Sequence, residues 1–417
     1  MNKTVKFTFS KNFILVAAGQ IISLFGNQIL RYALPLYLLN LTGSAAIFGT
    51  IQAAAFLPML LLYPVGGIIA DRFNKRNIMV ILDFFTGILI LLFCVLKGVT
   101  DIVPLAAVVM MILYGIQGAY QPAVKASVPV LVEAEHLMQA NSVIDVISSL
   151  SSMAGPVMGG ILFSISGLSP ILYVSAVCFF ASAVMEIFIH IPYDKKQREG
   201  SIFAAGFQDL KGSFRTMFHE ETVLWKMSFV FASVNLFLTS LILVGLPIII
   251  TQHLSFPLDM ANRLYGYAEG TLAAGNVLGG ILAGVLSRKW KPSSVSPLIA
   301  GCALSVFTGG IALQLLKAPM FAYLALVTCC GLLMVLEALI TVQIMSYLQL
   351  LTPSEQIGKV TACVLCICMC ANPAGQFFYG MIFEKIGNDI YVPFYIAACV
   401  MFGIGFMNRH TFDKVGV

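Results

Sequence analysis

Three acidic side chains, those of Glu337, Glu269 and Asp145, lie inside long apolar segments of the sequence. A charge at the centre of a membrane helix costs about 2.5 to 3.5 kcal/mol on insertion scales, so it usually faces a partner or water. A buried carboxyl group that alternates between its neutral and charged forms is what a proton carrier requires. These residues are therefore candidates for proton coupling, with Glu337 first and Glu269 second. A structural ion pair or a permanently protonated acid remains the alternative.

Polar side chains also repeat every three or four residues within apolar segments. This spacing places them on one face of a helix, where they predict a polar cavity for substrate, although hydrogen bonds between helices produce the same pattern. The stripes consist of Gln20, Ser23, Asn27 and Arg31 in the first segment, Tyr114, Gln117, Gln121 and Lys125 in the fourth, Ser228, Asn235 and Thr239 in the seventh, and Glu337 and Thr341 in the tenth. The third, ninth and twelfth segments are nearly all apolar and are expected to face lipid.

The segments that carry these side chains are predicted to be membrane-spanning helices. Only 10% of the 417 residues are charged, 59% are hydrophobic and the mean hydropathy is +0.93, whereas a soluble domain carries about a quarter charged residues. Backbone groups in lipid must be paired internally, and no alternating pattern indicates a barrel, so an all-α membrane protein is predicted. The twelve segments lie near 12–39, 47–70, 77–97, 103–126, 139–165, 168–191, 224–251, 264–287, 296–316, 320–348, 358–384 and 390–408.

The basic residues predict the orientation of the chain in the membrane. Nineteen of the 24 lysine and arginine residues, including those of the short basic N-terminus, fall on one side of the predicted topology. The positive-inside rule makes that side cytoplasmic, so both termini are predicted to lie in the cytoplasm of a multi-pass plasma-membrane protein. The net charge of +5 is explained by this orientation without a nucleic-acid partner. The first segment is too long to be a cleaved signal peptide.

The chain divides into two related halves. The longest polar segment, 192–222, separates residues 1–191 from 223–417, and phenylalanines at helical spacing predict an amphipathic helix in this linker. GIIADRFNK matches GVLSRKWK, and AGPVMG matches ANPAGQ, both at an offset near 217, while VEAEHL matches TPSEQI at an offset of 220. The repeat predicts two pseudo-symmetric six-helix bundles, an arrangement typical of transporters.

A charged loop joins the second and third segments in the sequence GGIIADRFNKRN. Its basic residues are explained as anchors at the cytoplasmic face, but Asp71 at the end of a helix opposes the helix dipole and so needs a partner. The loop resembles the G-x-x-x-D-R-x-G-R-[RK] motif of the major facilitator superfamily, with Asn74 where that family usually has Gly. The matching residues are Gly67, Asp71, Arg72, Lys75 and Arg76.

A second motif, in the fifth segment, resembles the G-P-x-x-G-G motif of the drug antiporters of that superfamily. It consists of Gly155, Pro156, Gly159 and Gly160. YLLNLTGSAAIFG and FQDLKGSF are most similar to the macrolide-efflux and enterobactin-exporter branch. The resemblance implies that the first, fourth, seventh and tenth helices line a cavity. It also implies that Asp71 latches against the start of the eleventh helix when the cavity opens outward, and that the basic residues brace this latch.

The resulting prediction is a secondary active transporter that exports amphipathic drug-, macrolide- or siderophore-like molecules, by proton antiport and alternating access. Tyr114 stands where proton-coupled antiporters carry Arg, three residues before Gln117 and Gly118, which leaves proton coupling a hypothesis. Arg31, with no acidic residue in the first segment, favours neutral or anionic substrates. Uptake by symport or facilitated diffusion is the alternative, and a membrane scaffold or receptor is a distant one. Motifs for ATP-driven pumps and intramembrane enzymes are missing from the sequence.

Cysteine chemistry is not predicted. Nearly all of the 10 cysteines lie in apolar segments, where a free cysteine acts as a small apolar residue. The densest group, Cys363, Cys366, Cys368 and Cys370, has no companion histidine, so a zinc site is not expected. No cofactor or metal is predicted. The predicted partners are a small-molecule substrate, protons and membrane lipid, and the protein is expected to be a monomer.

Overall fold

The computed structural model describes residues 9–192, 222–286, 294–352 and 357–414. The predicted amphipathic helix of the linker and the basic residues at 288–291 lie outside this part of the chain. The twelve predicted apolar segments coincide with twelve helices long and apolar enough to cross a membrane. The prediction of an all-α membrane protein is therefore confirmed.

The helices are numbered in chain order. They are α1 (Lys11–Thr42), α2 (Ala45–Arg72), α3 (Lys75–Leu96), α4 (Ile102–Leu131), α5 (Leu137–Ser166), α6 (Leu168–Ile187), α7 (222–253), α8 (Leu258–Leu286), α9 (Val295–Leu315), α10 (Pro319–Leu351), α11 (Ile357–Ile386) and α12 (Val392–Lys414). Helix α7 contains two π-helical segments, Asn235–Thr239 and Ile249–His253, between and after its α-helical parts. A short 3-10 turn, Ala134–His136, precedes α5.

Short polar connections make successive helices antiparallel. Gly43, with φ of 63°, and Ser44 alone join α1 to α2, because glycine adopts this left-handed conformation without strain. Ser44 accepts a hydrogen bond from the backbone N–H of Ile47 at the start of α2. Asn74 caps the start of α3 in the same way, through the N–H of Arg76. These caps satisfy amide groups that a helix leaves unpaired at its N-terminus.

The packing of the helices is repeated in the two halves. In the first half α1 packs against α5, α2 against α4, and α3 against α6; in the second, α7 packs against α11, α8 against α10, and α9 against α12. The halves contact each other through α5 with α8 and through α2 with α11, which are equivalent pairs under the same repeat. The predicted pair of pseudo-symmetric six-helix bundles is thus confirmed.

Helix α3 illustrates how the bundle divides polar from apolar surface. Ile81, Phe85, Ile88, Leu92 and Val95 recur every three or four residues and are exposed, so they form an apolar face suited to lipid. The opposite face is buried against α6 and α4. A polar group of α3 can reach the interior of the bundle only from this buried face.

Candidate functional site

The two halves touch backbone to backbone at one end of the bundle, where α5 and α11 finish and α8 and α2 begin; we call this the closed end. A Cβ atom on Gly266 would lie 2.6 Å from the carbonyl oxygen of Pro156 and 3.1 Å from the Cα of Gly160. A Cβ on Gly49 would lie 2.7 Å from the Cα of Gly380. Glycine is needed at both crossings because any side chain would separate the helices.

Hydrogen bonds and a stacked ring pair join α1 to α8 at the closed end. The hydroxyl of Tyr32 donates to the carbonyl oxygen of Asn262, and the side-chain amide of Asn40 donates to Asn262 Oδ1 at 3.0 Å. The rings of Tyr32 and Tyr265 stack with centroids 5.0 Å apart. The second half therefore contacts the end of α1 in addition to α5 and α2.

Two further polar contacts complete this end. Glu384 Oε2 accepts hydrogen bonds of 3.0 Å from the Ser44 hydroxyl and from the backbone N–H of Ala46. The Arg263 Nε–H donates to Ser164 Oγ at 2.6 Å. Each bond joins one half to the other, so opening this end requires all of them to break.

The glycine-proline motif of α5 lies at the junction of three helices. A Cβ on Gly159 would lie 2.9 Å from Cδ1 of Tyr32, and a Cβ on Gly155 would overlap the side chain of Gln28, also on α1. Gly160 faces Asn262 and Gly266 of α8 and also the hydroxyl of Tyr32. The four predicted motif residues thus let α5 approach α1 within its own half and α8 across the interface.

A recess lies between α1 and α4, below the closed end; we call it the α1–α4 recess. Its upper part is lined by Asn27, Leu30, Arg31, Leu34, Pro35, Met110, Leu113, Tyr114 and Gln117. Arg31 Nη1 donates to Gln117 Oε1 at 3.0 Å, and its guanidinium carbon lies 4.5 Å from the centre of the Tyr114 ring. Apolar walls with a few fixed polar groups are typical of small-molecule sites.

The recess continues away from the closed end. Its lower part is lined by Ser23, Leu24, Asn27, Asp83, Thr86, Leu113, Ile116, Gln117, Tyr120, Gln121 and Phe179. The structure therefore brings together most of the predicted polar residues of α1 and α4. Gln20 is different, because it is fully buried and its amide donates to the Tyr120 hydroxyl at 2.7 Å.

An acidic and a basic residue from the two halves lie near each other beside the recess. The carboxyl group of Glu269 in α8 lies near Arg31 of α1 and near Tyr265. Because Arg31 belongs to the other half, a negative charge on Glu269 would favour contact between the halves.

A second polar cluster lies in the other half, where α7 faces α10 and α11. Thr239 Oγ1 donates to Glu337 Oε1 at 2.6 Å, while Thr341 Oγ1 donates to the backbone carbonyl of Glu337 at 2.9 Å. Asn372 Nδ2 donates to Asn235 Oδ1 at 3.1 Å. Asn235 and Thr239 bound a π-helical segment, a local widening that is frequent at functional sites. Among the described residues, Glu337 Oε2 is buried without a hydrogen-bond partner.

The remaining predicted residues lie away from both clusters. Asp145 is exposed on α5 and does not line the α1–α4 recess. Asp71 is exposed at the end of α2, and part of its predicted latch, at 353–356 before α11, falls outside the described residues. Arg76 Nε–H donates to the carbonyl of Glu186 at 3.4 Å, and its Nη2 donates to the carbonyl of Ile187. Arg76 therefore braces the loop against the end of α6.

Two buried acids were missed by the sequence reasoning. The buried face of α3 carries Asp83, and α6 carries Glu186, with exposures of 2% and 1%. The expectation that α3 is simply a lipid-facing helix is therefore wrong for this face. An acidic residue in the apolar run VILDFF was a detectable signal, by the same reasoning that singled out Glu337 and Glu269.

Known proteins resemble this chain along nearly its full length. The sequence profile of the Major Facilitator Superfamily matches residues 16–371. Macrolide efflux protein A of Streptococcus pyogenes is 24% identical over 384 residues, covering 90% of this chain and 90% of that protein. Enterobactin exporter EntS of Salmonella typhimurium is 22% identical over 355 residues, covering 84% of this chain and 80% of its own.

The fold is similar to solved structures of transporters. A bacterial homologue of the iron transporter ferroportin, in an inward-facing state, superposes with a TM-score of 0.71. It shares 15% sequence identity, and the match covers 97% of this chain and 98% of that chain. At this identity the similarity establishes the shared fold.

Proposed function

The chain belongs to the Major Facilitator Superfamily, whose members are transporters and not enzymes, and on that premise we propose that it exports amphipathic small molecules in exchange for protons. The observation that carries the proposal is the closed end above the α1–α4 recess. Glycine crossings hold two six-helix bundles together there, and polar side chains line the space beneath. This is the geometry that alternating access requires, since one end closes while a central site remains.

The proposed cycle exchanges contacts at the closed end for contacts at the opposite end. Opening separates Gly160 from Gly266 and Gly49 from Gly380, and it breaks the hydrogen bonds of Asn262 and Glu384. The other end then closes, and Asp71, Arg72, Lys75 and Arg76 form the latch against α11. With both termini in the cytoplasm, as the basic residues predict, the closed end faces outward.

Export is favoured by the relatives and by the position of the fifth-helix motif. Macrolide efflux protein A and enterobactin exporter EntS are efflux proteins by name, and both align with most of the chain. The Gly155–Gly160 motif, which resembles that of drug antiporters, forms the contact between the halves.

The substrate class follows from the lining of the α1–α4 recess. Arg31, Asn27 and Gln117 offer a cation and amide groups, while leucines, Met110 and Tyr114 provide apolar surface. Arg is suited to carboxylate and other anionic oxygen groups. A neutral or anionic amphipathic molecule, such as a macrolide-like or siderophore-like compound, satisfies these walls better than a lipophilic cation.

The proton route is proposed through three carboxyl groups, two in the second half and one in the first. Glu337 is the first candidate because its carboxyl group is tied to Thr239 and is held inside the bundle. Glu269 is the second, because its protonation would weaken the attraction to Arg31 across the interface. Asp145, which is exposed, is the third. Protonation of Glu269, which lies near Arg31 of the other half, would link proton binding to opening of the closed end.

The domain and membrane assignments complete the proposal. Residues 1–191 and 223–417 are the moving bundles, 192–222 is the cytoplasmic linker, and the protein works as a monomer in the plasma membrane. Lipid surrounds the exposed apolar faces, as on α3.

The decisive experiment measures substrate accumulation in cells with and without the protein, using a radiolabelled macrolide and a catecholate siderophore. We expect lower accumulation with the protein, and loss of the difference when an ionophore collapses the proton gradient. Inside-out vesicles with an imposed pH gradient should concentrate the same compound. Higher accumulation in intact cells would support uptake and overturn the proposal. Gly280→Ala is a suitable expression-matched control, since a Cβ at Gly280 meets nothing within 4 Å.

A further inference from the structure

A buried acidic pair in the first half has no role in the function proposed above. It consists of Asp83 in α3 and Glu186 in α6, which are 2% and 1% exposed. Ser23 Oγ donates to Asp83 Oδ1 at 3.0 Å, and the Tyr120 hydroxyl donates to Glu186 Oε1 at 2.7 Å. Tyr120 also lies beside the carboxyl group of Asp83, so its hydroxyl stands between the two acids.

Several acceptor atoms around this pair lack a donor. Among the described residues, Asp83 Oδ2 and Glu186 Oε2 are buried without a hydrogen-bond partner. The Oε1 atom of Gln20, a fully buried neutral residue of a third helix, is unpartnered too. Because the amide of Gln20 donates to Tyr120, this orphan oxygen belongs to the same cluster. A buried acceptor without a donor costs free energy. A proton on one of these carboxyl groups would supply an O–H donor.

The surroundings of the pair supply hydroxyl and amide groups. Gln20 and Ser23 come from α1, Tyr120 from α4, and Ser182, which lies beside Asp83, from α6. The nearby guanidinium of Arg76 donates to the backbone carbonyls of Glu186 and Ile187. The charged group that acts on the carboxyl group of Glu186 is that of Asp83. Two carboxylates in such a site repel, and one added proton removes the repulsion.

Packing favours a proton over a larger cation. A Cβ on Gly19 of α1 would lie 3.4 Å from Ser182 Oγ and 3.5 Å from Glu186 Cγ, so the helices already touch at the pair. A proton adds no volume, whereas a sodium ion needs a shell of several oxygen atoms around it. Asp83 and Tyr120 form part of the wall of the lower α1–α4 recess, and this wall is the path by which water would reach the pair.

We propose that Asp83 and Glu186 form an exchangeable proton-binding site in the first half, bridged by Tyr120 and separate from Glu337 and Glu269. In the binding step, a hydronium ion in the recess transfers its proton to a carboxylate oxygen of the pair and is left as water. The new O–H group then donates to one of the orphan acceptors. Any use of this proton in transport rests on the proposed antiport, but the binding itself does not.

Position gives the site a route to the conformational machinery. Arg76, a residue of the charged loop, holds the backbone of Glu186, so a change of charge at the pair acts on the same turn of α6 that braces the loop. The first half would thereby sense protons at the end of the molecule opposite the closed end.

The test uses infrared difference spectroscopy on the full-length protein, purified and reconstituted into lipid, in H₂O and in D₂O. We expect a carboxylic-acid carbonyl band that shifts in D₂O and is reversibly lost when the pH is raised. The band should disappear in Asp83→Asn and in Glu186→Gln. In Tyr120→Phe it should remain but change frequency, because the bridging hydroxyl is gone. Glu135→Gln, at an exposed acid that precedes α5, should leave it unchanged.

Three results would overturn the site. The band could survive in both carboxyl variants, or it could be insensitive to pH and D₂O. It could also be abolished by sodium chloride at constant pH, which would indicate that the site binds a sodium ion. Helix content by circular dichroism and a single elution peak show that each variant is folded. Because no substrate is involved, failure of this test is distinguishable from failure of the proposed export function.

Discussion

The carboxyl group of Glu384 in α11 accepts a hydrogen bond of 3.0 Å from the hydroxyl of Ser44, the residue that caps α2. The same oxygen accepts from the Ala46 N–H at 3.0 Å. A negative charge at a helix N-terminus is favourable because it faces unpaired N–H groups and the positive end of the helix dipole. One half of the molecule therefore completes the cap of a helix in the other.

Replacement of Glu384 by Gln should loosen the closed end. Loss of the charge removes about 0.5 to 1 kcal/mol, the usual value of a helix-terminus interaction at a partly exposed site, so the closed population should fall two- to five-fold relative to the open one. Spin labels at Leu41 and Lys385, on opposite halves, would report this as a longer distance distribution. Glu135→Gln is the control, and an unchanged distribution in Glu384→Gln would contradict a role for this cap.

Two glycines of α8 offer a matched test of the interface. Gly266→Ala introduces a Cβ 2.6 Å from the carbonyl oxygen of Pro156, whereas Gly280→Ala introduces one that meets nothing within 4 Å. The first variant should prevent the closed end from forming and reduce substrate flux at least ten-fold. The second should transport normally. Equal flux in the two variants, at equal membrane abundance, would show that the backbone contact is unnecessary.

Asp71→Asn should weaken transport without impairing membrane insertion. Asp71 is exposed in the described conformation, so its replacement removes nothing here but removes the predicted latch from the outward-open state. We therefore expect cysteine probes at the closed end to become less accessible and flux to decrease. Glu135→Gln, at the same end of the bundle, serves as the control. Normal transport by Asp71→Asn at equal abundance would rule out the latch.

The fold could be predicted from the sequence because each membrane-spanning helix has its own local signal, a long apolar segment. Apolar length gave twelve helices, and the repeat gave two halves, since both signals are local or periodic. The polar stripes of α1 and α4 gave the lining of the recess, where Asn27, Arg31, Tyr114 and Gln117 now lie.

Pairing between distant residues was not predictable in this way. Gln20 shares a stripe with Asn27, yet it turns into a buried network because Tyr120 lies 100 residues away in sequence and next to it in space. Asp83 and Glu186 become a pair only when α3 packs against α6. The approach of Thr239 to Glu337 occurs beside a π-helical turn, for which the hydrophobic pattern carries no signal.

The two threonines near Glu337 separate its carboxyl chemistry from its structural role. Thr239 donates to the carboxyl group, whereas Thr341 donates only to the backbone carbonyl of the same residue. Glu337→Gln should abolish proton-driven efflux, yet it should preserve exchange of labelled for unlabelled substrate, because exchange needs no proton to be carried back. Thr239→Val should change the pH profile of efflux, and Thr341→Val should not.

Proton-driven efflux and substrate exchange are both measured in one preparation of proteoliposomes, with and without an imposed pH gradient. Full proton-driven efflux by Glu337→Gln would exclude this residue, and loss of exchange as well would indicate that Glu337 maintains the bundle and carries no proton.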